Sequence, residues 1–158
     1  MITTPKLTLE DAKVVLKGAE KKAKEIGIDM DIAVVDDGGN LLALYRMDRA
    51  KITSIDIAIN KAFTAAGARK ATHEYSEIAG TGGPAFGIHV SNRGRFMIFG
   101  GGLPIFVDGY IVGGVGCSSG SVEEDRMVAQ AGIDTLLKRL KKISIFKVVP
   151  TFSYINDI

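Results

Sequence analysis

An α+β fold, with a mainly antiparallel sheet covered by helices, is what the order of elements predicts, and three observations carry that expectation. Asp37-Gly38-Gly39-Asn40 and Asp108-Gly109 each lie between apolar runs and supply the residues a β-hairpin reversal favours, so the strands they join run antiparallel. Three longer stretches repeat apolar residues at steps of three and four, the spacing of a helix with one buried face. The resulting order is helix, two strands, one or two helices, three strands, helix, without the regular strand–helix alternation of a parallel sheet.

In the first helix Leu9, Ala12, Leu16, Ala19, Ala23 and Ile26 share a face, Thr8 with Asp11 forms the start signal and Gly27 the stop. DIAVVDDGGNLLALYR follows as two strands around the Asp37–Asn40 reversal. Thr53 with Asp56 opens the second helix, whose stripe of Ile55, Ala58, Ile59, Ala62 and Ala66 is rich in small side chains that allow close approach to a sheet or a neighbouring subunit. From Thr72 to Pro84 the pattern weakens into a short helix or loop, broken by TGGP. Asn92-Arg93-Gly94 turns the chain into three short apolar runs, RFMIF, PIFV and YIVGGVGC, predicted as strands. Ser121 begins the last helix, which gathers Val122, Ala129, Ile133, Leu136 and Leu140 on one side.

The 158 residues, 46% of them hydrophobic, suit one domain with a substantial core. That domain is expected over residues 1–142, and 143–158 form an apolar, β-prone tail expected to pack on the domain or on another subunit. A net charge of +2, with lysines spread out and no interleaved aromatics, argues against nucleic acid as a partner. Cys117 is the single cysteine, so no internal disulfide forms, and two histidines leave no all-histidine metal cage; no metal site is expected. The N-terminus lacks the apolar stretch of a signal peptide, and no run approaches membrane-spanning length, so a soluble, cytoplasmic protein without a membrane partner is expected.

GGVGCSSGSVEED, from Gly113 to Asp125, resembles a phosphate-binding loop, but no lysine follows Gly120, and Ser119 stands where a dinucleotide fingerprint needs glycine. Glu123, Glu124 and Asp125 fill the first helical turn and repel an anion, and Ser121 with Glu124 forms a capping box that uses the same amides. Close packing of strand against helix is the reading these glycines favour.

AVVDDGGNLLALYRMD (Ala33 to Asp48), INKAFTAA (Ile59 to Ala66), GGGLPI (Gly100 to Ile105) and YIVGGVGCSSGSVEEDRMVAQAG (Tyr110 to Gly132) together resemble the GlcG/HbpS family. That family is called haem-binding or haem-degrading and is similar to the C-terminal domain of PduO-type cobalamin adenosyltransferases. The resemblance covers most of the chain from Leu7 to about Leu140. It implies a profilin-like fold with a five-stranded antiparallel sheet, a homo-oligomer, and haem or a related tetrapyrrole as ligand. GCSSGS stands where the family commonly has GVSGG, and the first helix has no histidine to match the haem ligand expected there in some PduO-like relatives.

The candidate ligand-binding residues are Lys61, Arg46, Asp48, Gly101, Gly102, Pro104 and His89. Lys61, on a helix face otherwise small and apolar, is placed to meet a carboxylate or haem propionate, or is a solvated lysine. Arg46 and Asp48 end the second strand, as ligand contacts or as an exposed ion pair. Gly101, Gly102 and Pro104 shape a turn that either approaches a ligand or only reverses the chain. His89 is a possible haem ligand or a hydrogen-bonded loop histidine, and His73 reads first as a helix-end residue. Cys117 reads as a small buried hydrophobe, and Glu124 and Asp125 read first as capping and dipole-compensating acids, with acid/base groups across a subunit boundary as the alternative. No catalytic residue is assigned. An oligomeric small-ligand-binding protein is the leading expectation; an enzyme acting on a small organic acid, or an accessory subunit without activity of its own, are the alternatives.

Overall fold

A computed structural model describes residues 1–147. Its elements are α1 (Leu9–Glu25), β1 (Asp31–Asp36), β2 (Leu41–Arg46), α2 (Ser54–Ala68), α3 (Tyr75–Ile78), the single turn α4 (Ser91–Gly94), β3 (Gly102–Val107), β4 (Tyr110–Ser118) and α5 (Val122–Lys147). The strands form one antiparallel sheet in the order β2-β1-β4-β3. Alternation along β1 divides the core: Ile32 and Val34 join Val115 and Cys117 against α1 and α5, while Ala33 and Val35 meet Ala58, Ala62 and Ala66 of α2.

Both hairpins form where the turn residues predict them. Asp108 and Gly109 take φ of 49° and 80°, the paired left-handed geometry of a type I′ turn. Asn92, Arg93 and Gly94 turn the chain with φ of 53°, 61° and 76°. Thr8 and Asp11 close a capping box on α1, and Ser121 and Glu124 close another on α5. At α2 the expected cap is missing: Thr53 already has helical φ and ψ of −69° and −20°, and its side chain makes no cap hydrogen bond. A preceding turn, in which the Ser54 amide donates to the Lys51 carbonyl at 2.9 Å, opens the helix instead.

Among the described residues the sheet has four strands, not the five expected. RFMIF, Arg95–Phe99, pairs with no strand, because side chains of α2 and α3 take up its backbone groups. The Met97 amide donates to Thr64 Oγ1 at 2.9 Å, and the hydroxyls of Thr64 and Ser76 donate to the carbonyls of Arg95 and Ile98 at 3.2 and 3.1 Å. With those polar groups paired, the segment needs no ladder partner.

The glycines of β4 bring α2 down onto the sheet. A Cβ at Gly114 would strike the Ala62 carbonyl and one at Gly116 the Ala58 carbonyl. The expected boundary after residue 142 falls within α5, and the rest of the expected tail, 148–158, lies outside the described residues. Among the described residues no helix is long and apolar enough to cross a membrane.

Candidate functional site

Lys61 lies on the α2 turn that Gly116 brings closest to the sheet, and its side chain is only 1% exposed. Its ammonium donates to Asp125 Oδ2 at 2.7 Å and to the Cys117 carbonyl at 2.9 Å, and sits 4.7 Å from the centre of the Phe99 ring. Asp125 Oδ1 accepts the Gly120 amide at 3.0 Å, so both carboxylate oxygens are satisfied. Burial pushes the Asp125 carboxyl above the usual carboxylate range, opposed by the Lys61 charge and hydrogen bond.

Gly101 and Gly102 roof this pair. Gly101 has φ of 117°, and a Cβ there would lie 2.6 Å from Lys61 Nζ and 2.8 Å from Asp125 Cβ. At Gly102 a Cβ would strike the Lys61 carbonyl, and the Gly102 amide donates to Thr72 Oγ1 at 2.9 Å. The Cys117 thiol is driven far above its ordinary pKa by burial and then by the Asp125 charge, which makes it an inert core group.

Phe99 joins this buried cluster to an apolar pocket of about 290 Å³ lined by His89, Gly94, Phe96, Met97, Ile98 and Phe99. Tyr75 meets Phe96 edge to face at 4.9 Å between ring centres, and Phe86 stands 6.2 Å from the His89 ring. His89 Nδ1 is buried and has no hydrogen-bond partner among the described residues. In the short helical turn before α3, His73 Nδ1 is in the same condition. Burial first, then the positive charge of Arg126, lowers the His73 pKa, so its imidazole stays neutral at neutral pH.

The predicted residues therefore fall into separate groups. Lys61, Gly101 and Gly102 come together, and Phe99 connects them to His89. Arg46 and Asp48 instead line a different pocket of about 480 Å³, with Glu20, Lys24, Asp29 and Tyr45 among its walls. Pro104 lies within β3, opposite Gly114. Three features escaped the sequence reading: Asp125 as the partner of Lys61, the Phe96–Phe99 wall, and the placing of His73 and Arg126 both beside Gly100. The acid-rich start of α5 was a signal for the first, but nothing local showed that the third of its acids turns inward.

Asp31 is a further surprise. It is 0% exposed, and neither carboxylate oxygen has a partner among the described residues. Its register neighbours are Arg46 on β2 and Ser118 on β4; burial raises its pKa and Arg46 lowers it in part.

Sheet, helices and pocket define a small α+β domain with an apolar pocket beside a sealed ion pair. Residues 7–134 match the family model described as haem degrading protein HbpS-like, and the chain belongs to that family. Relatives that include GlcG and PduO agree with the GlcG/HbpS resemblance. An uncharacterized 15.0 kDa protein of Citrobacter freundii, from the dhaT–dhaS intergenic region, is 44% identical over 128 residues, which are 81% of this chain and 90% of that protein. The structure of Klebsiella pneumoniae protein ORFY is 38% identical with a TM-score of 0.85, covering 87% of this chain and 94% of that one. A PduOC:heme complex is 32% identical with a TM-score of 0.80, covering 83% of this chain and 95% of its own.

Proposed function

We propose that this protein binds haem or a closely related tetrapyrrole on the surface formed by residues 86–99, with His89 as the iron ligand. The observation that carries the reading is a single imidazole, His89, in a pocket whose other walls are apolar and aromatic. Neutral imidazole is a good axial ligand, and apolar and aromatic walls suit the faces of a macrocycle. The family, and a relative solved as a heme complex, support the same ligand.

Phe96, Met97, Ile98 and Phe99 would bind and orient the macrocycle, and His89 would hold its iron. Bound haem would supply redox and oxygen chemistry that side chains lack. A volume of about 290 Å³ lies at the lower limit for ligand pockets, so this surface encloses only part of such a ligand. Phe86 and Val90, 62% and 71% exposed at its margin, are apolar surface of the kind a second copy would cover. A homo-oligomer that completes the pocket between subunits is therefore part of the proposal.

Titration with hemin is the test. The wild type should give a saturable Soret shift, and His89→Ala should bind at least about tenfold more weakly with an altered spectrum. An unsaturable wild-type response, or a variant identical to wild type, would overturn the assignment.

A further inference from the structure

Next along the chain from Phe99 comes Gly100, which packs against His73 of the turn before α3 and Arg126 of α5. A Cβ built on Gly100 would lie 3.1 Å from His73 Cβ, 3.0 Å from Arg126 Cδ and 2.6 Å from Val122 Cγ1. The bare glycine thus lets α5 and the segment before α3 approach at this point, with His73 and Arg126 both beside it.

Three hydrogen bonds tie this segment to its surroundings. The Gly102 amide donates to Thr72 Oγ1 at 2.9 Å, Ser76 Oγ donates to the Ile98 carbonyl at 3.1 Å, and the Ala71 amide donates to Glu74 Oε1 at 3.0 Å. His73 lies between those ties.

The corner also lacks a counter-charge among the described residues, because nearby acids are engaged elsewhere. Asp125 faces Lys61, Glu124 accepts the Ser121 amide, and Glu74 binds the Ala71 amide with Lys70 3.8 Å away. Glu123 is exposed, and no ion pair joins it or any other described carboxylate to Arg126. An arginine beside a neutral imidazole is chemistry that accepts a carboxylate: the guanidinium provides two parallel donors and the ring N–H another.

We propose that Arg126 and His73, both packed beside Gly100, form a carboxylate-binding corner next to the Phe96–Phe99 wall. A ligand with an apolar body and an acidic edge would use both parts. Assigning that carboxylate to a haem propionate rests on the haem reading; a free organic acid is the other source of the same chemistry.

Two arms test the corner. In the first, succinate is titrated into the full-length protein while the ring resonances of both histidines are followed by NMR. The His73 signals should shift saturably and titrate at higher pH, His89 should be nearly unaffected, Arg126→Gln should weaken the response about tenfold, and Arg126→Lys should keep part of it. In the second, hemin is compared with its dimethyl ester. If propionate is the ligand, hemin should bind about tenfold more tightly, and Arg126→Gln should remove that difference without changing ester binding.

A response in the first arm alone identifies a free acid, and one in the second alone identifies the propionate; either supports the corner. No His73 response together with equal hemin and ester binding, or a succinate response unchanged in Arg126→Gln, overturns it. Failure of hemin to bind at all defeats the haem reading and leaves the succinate arm to decide.

Discussion

Two aspartates, Asp125 and Asp31, are buried near the same end of the sheet, 3% and 0% exposed, and they are treated in opposite ways. Asp125 accepts an ammonium and an amide, whereas both oxygens of Asp31 go unpartnered among the described residues, with the Arg46 charge acting only through space. A buried charge with good partners holds its surroundings in place, while one without them costs the fold stability. Partners, rather than depth, decide what each carboxylate contributes.

The largest test of that contrast is Lys61→Met, which keeps the apolar stem and strands Asp125. It should lose about 3–5 kcal/mol in denaturant unfolding, since breaking a buried pair leaves its other charge uncompensated. A loss below about 1 kcal/mol would mean that the cluster relaxes or hydrates easily.

Asp31→Asn should act in the other direction, gaining about 1–3 kcal/mol at neutral pH by removing an unsatisfied charge. The folded Asp31 carboxyl holds its proton more tightly than the unfolded one, so the folded state carries the extra proton between the two pKa values and wild-type stability falls as pH rises through that window. The gain should therefore vanish in acid, below the unfolded pKa of about 4, and be complete above the raised folded value. Paired denaturation curves across pH measure it; a gain that persists in acid would trace to packing.

Ser121→Ala gives the smallest effect. It removes the hydroxyl half of the capping box that starts α5 and should cost about 1 kcal/mol. If the cap also holds Asp125 in place, the Gly120 amide, which donates to that carboxylate, should exchange faster in the variant than amides farther along α5.

Local chemistry made much of the fold legible. Hairpin residues at Asp108-Gly109, the Thr8–Asp11 and Ser121–Glu124 boxes, and the alanine stripe of α2 act within a few residues, so pattern alone finds them. RFMIF misled because its apolar content matches a strand while its polar backbone groups reach Thr64 and Ser76, far away in sequence. The site was less legible for the same reason. Lys61 and Asp125 were both noticed, yet 64 residues separate them, and only folding makes them a pair. His73 and Arg126 both pack beside Gly100 because the bare glycine leaves room, a relation that no periodicity encodes.

The side-chain-free track along β4 has a consequence for sequence drift in this protein. With Gly114 and Gly116 seated against the backbone of α2, even a methyl group there has nowhere to go. Random mutagenesis should therefore find its least forgiving positions in that plain central stripe.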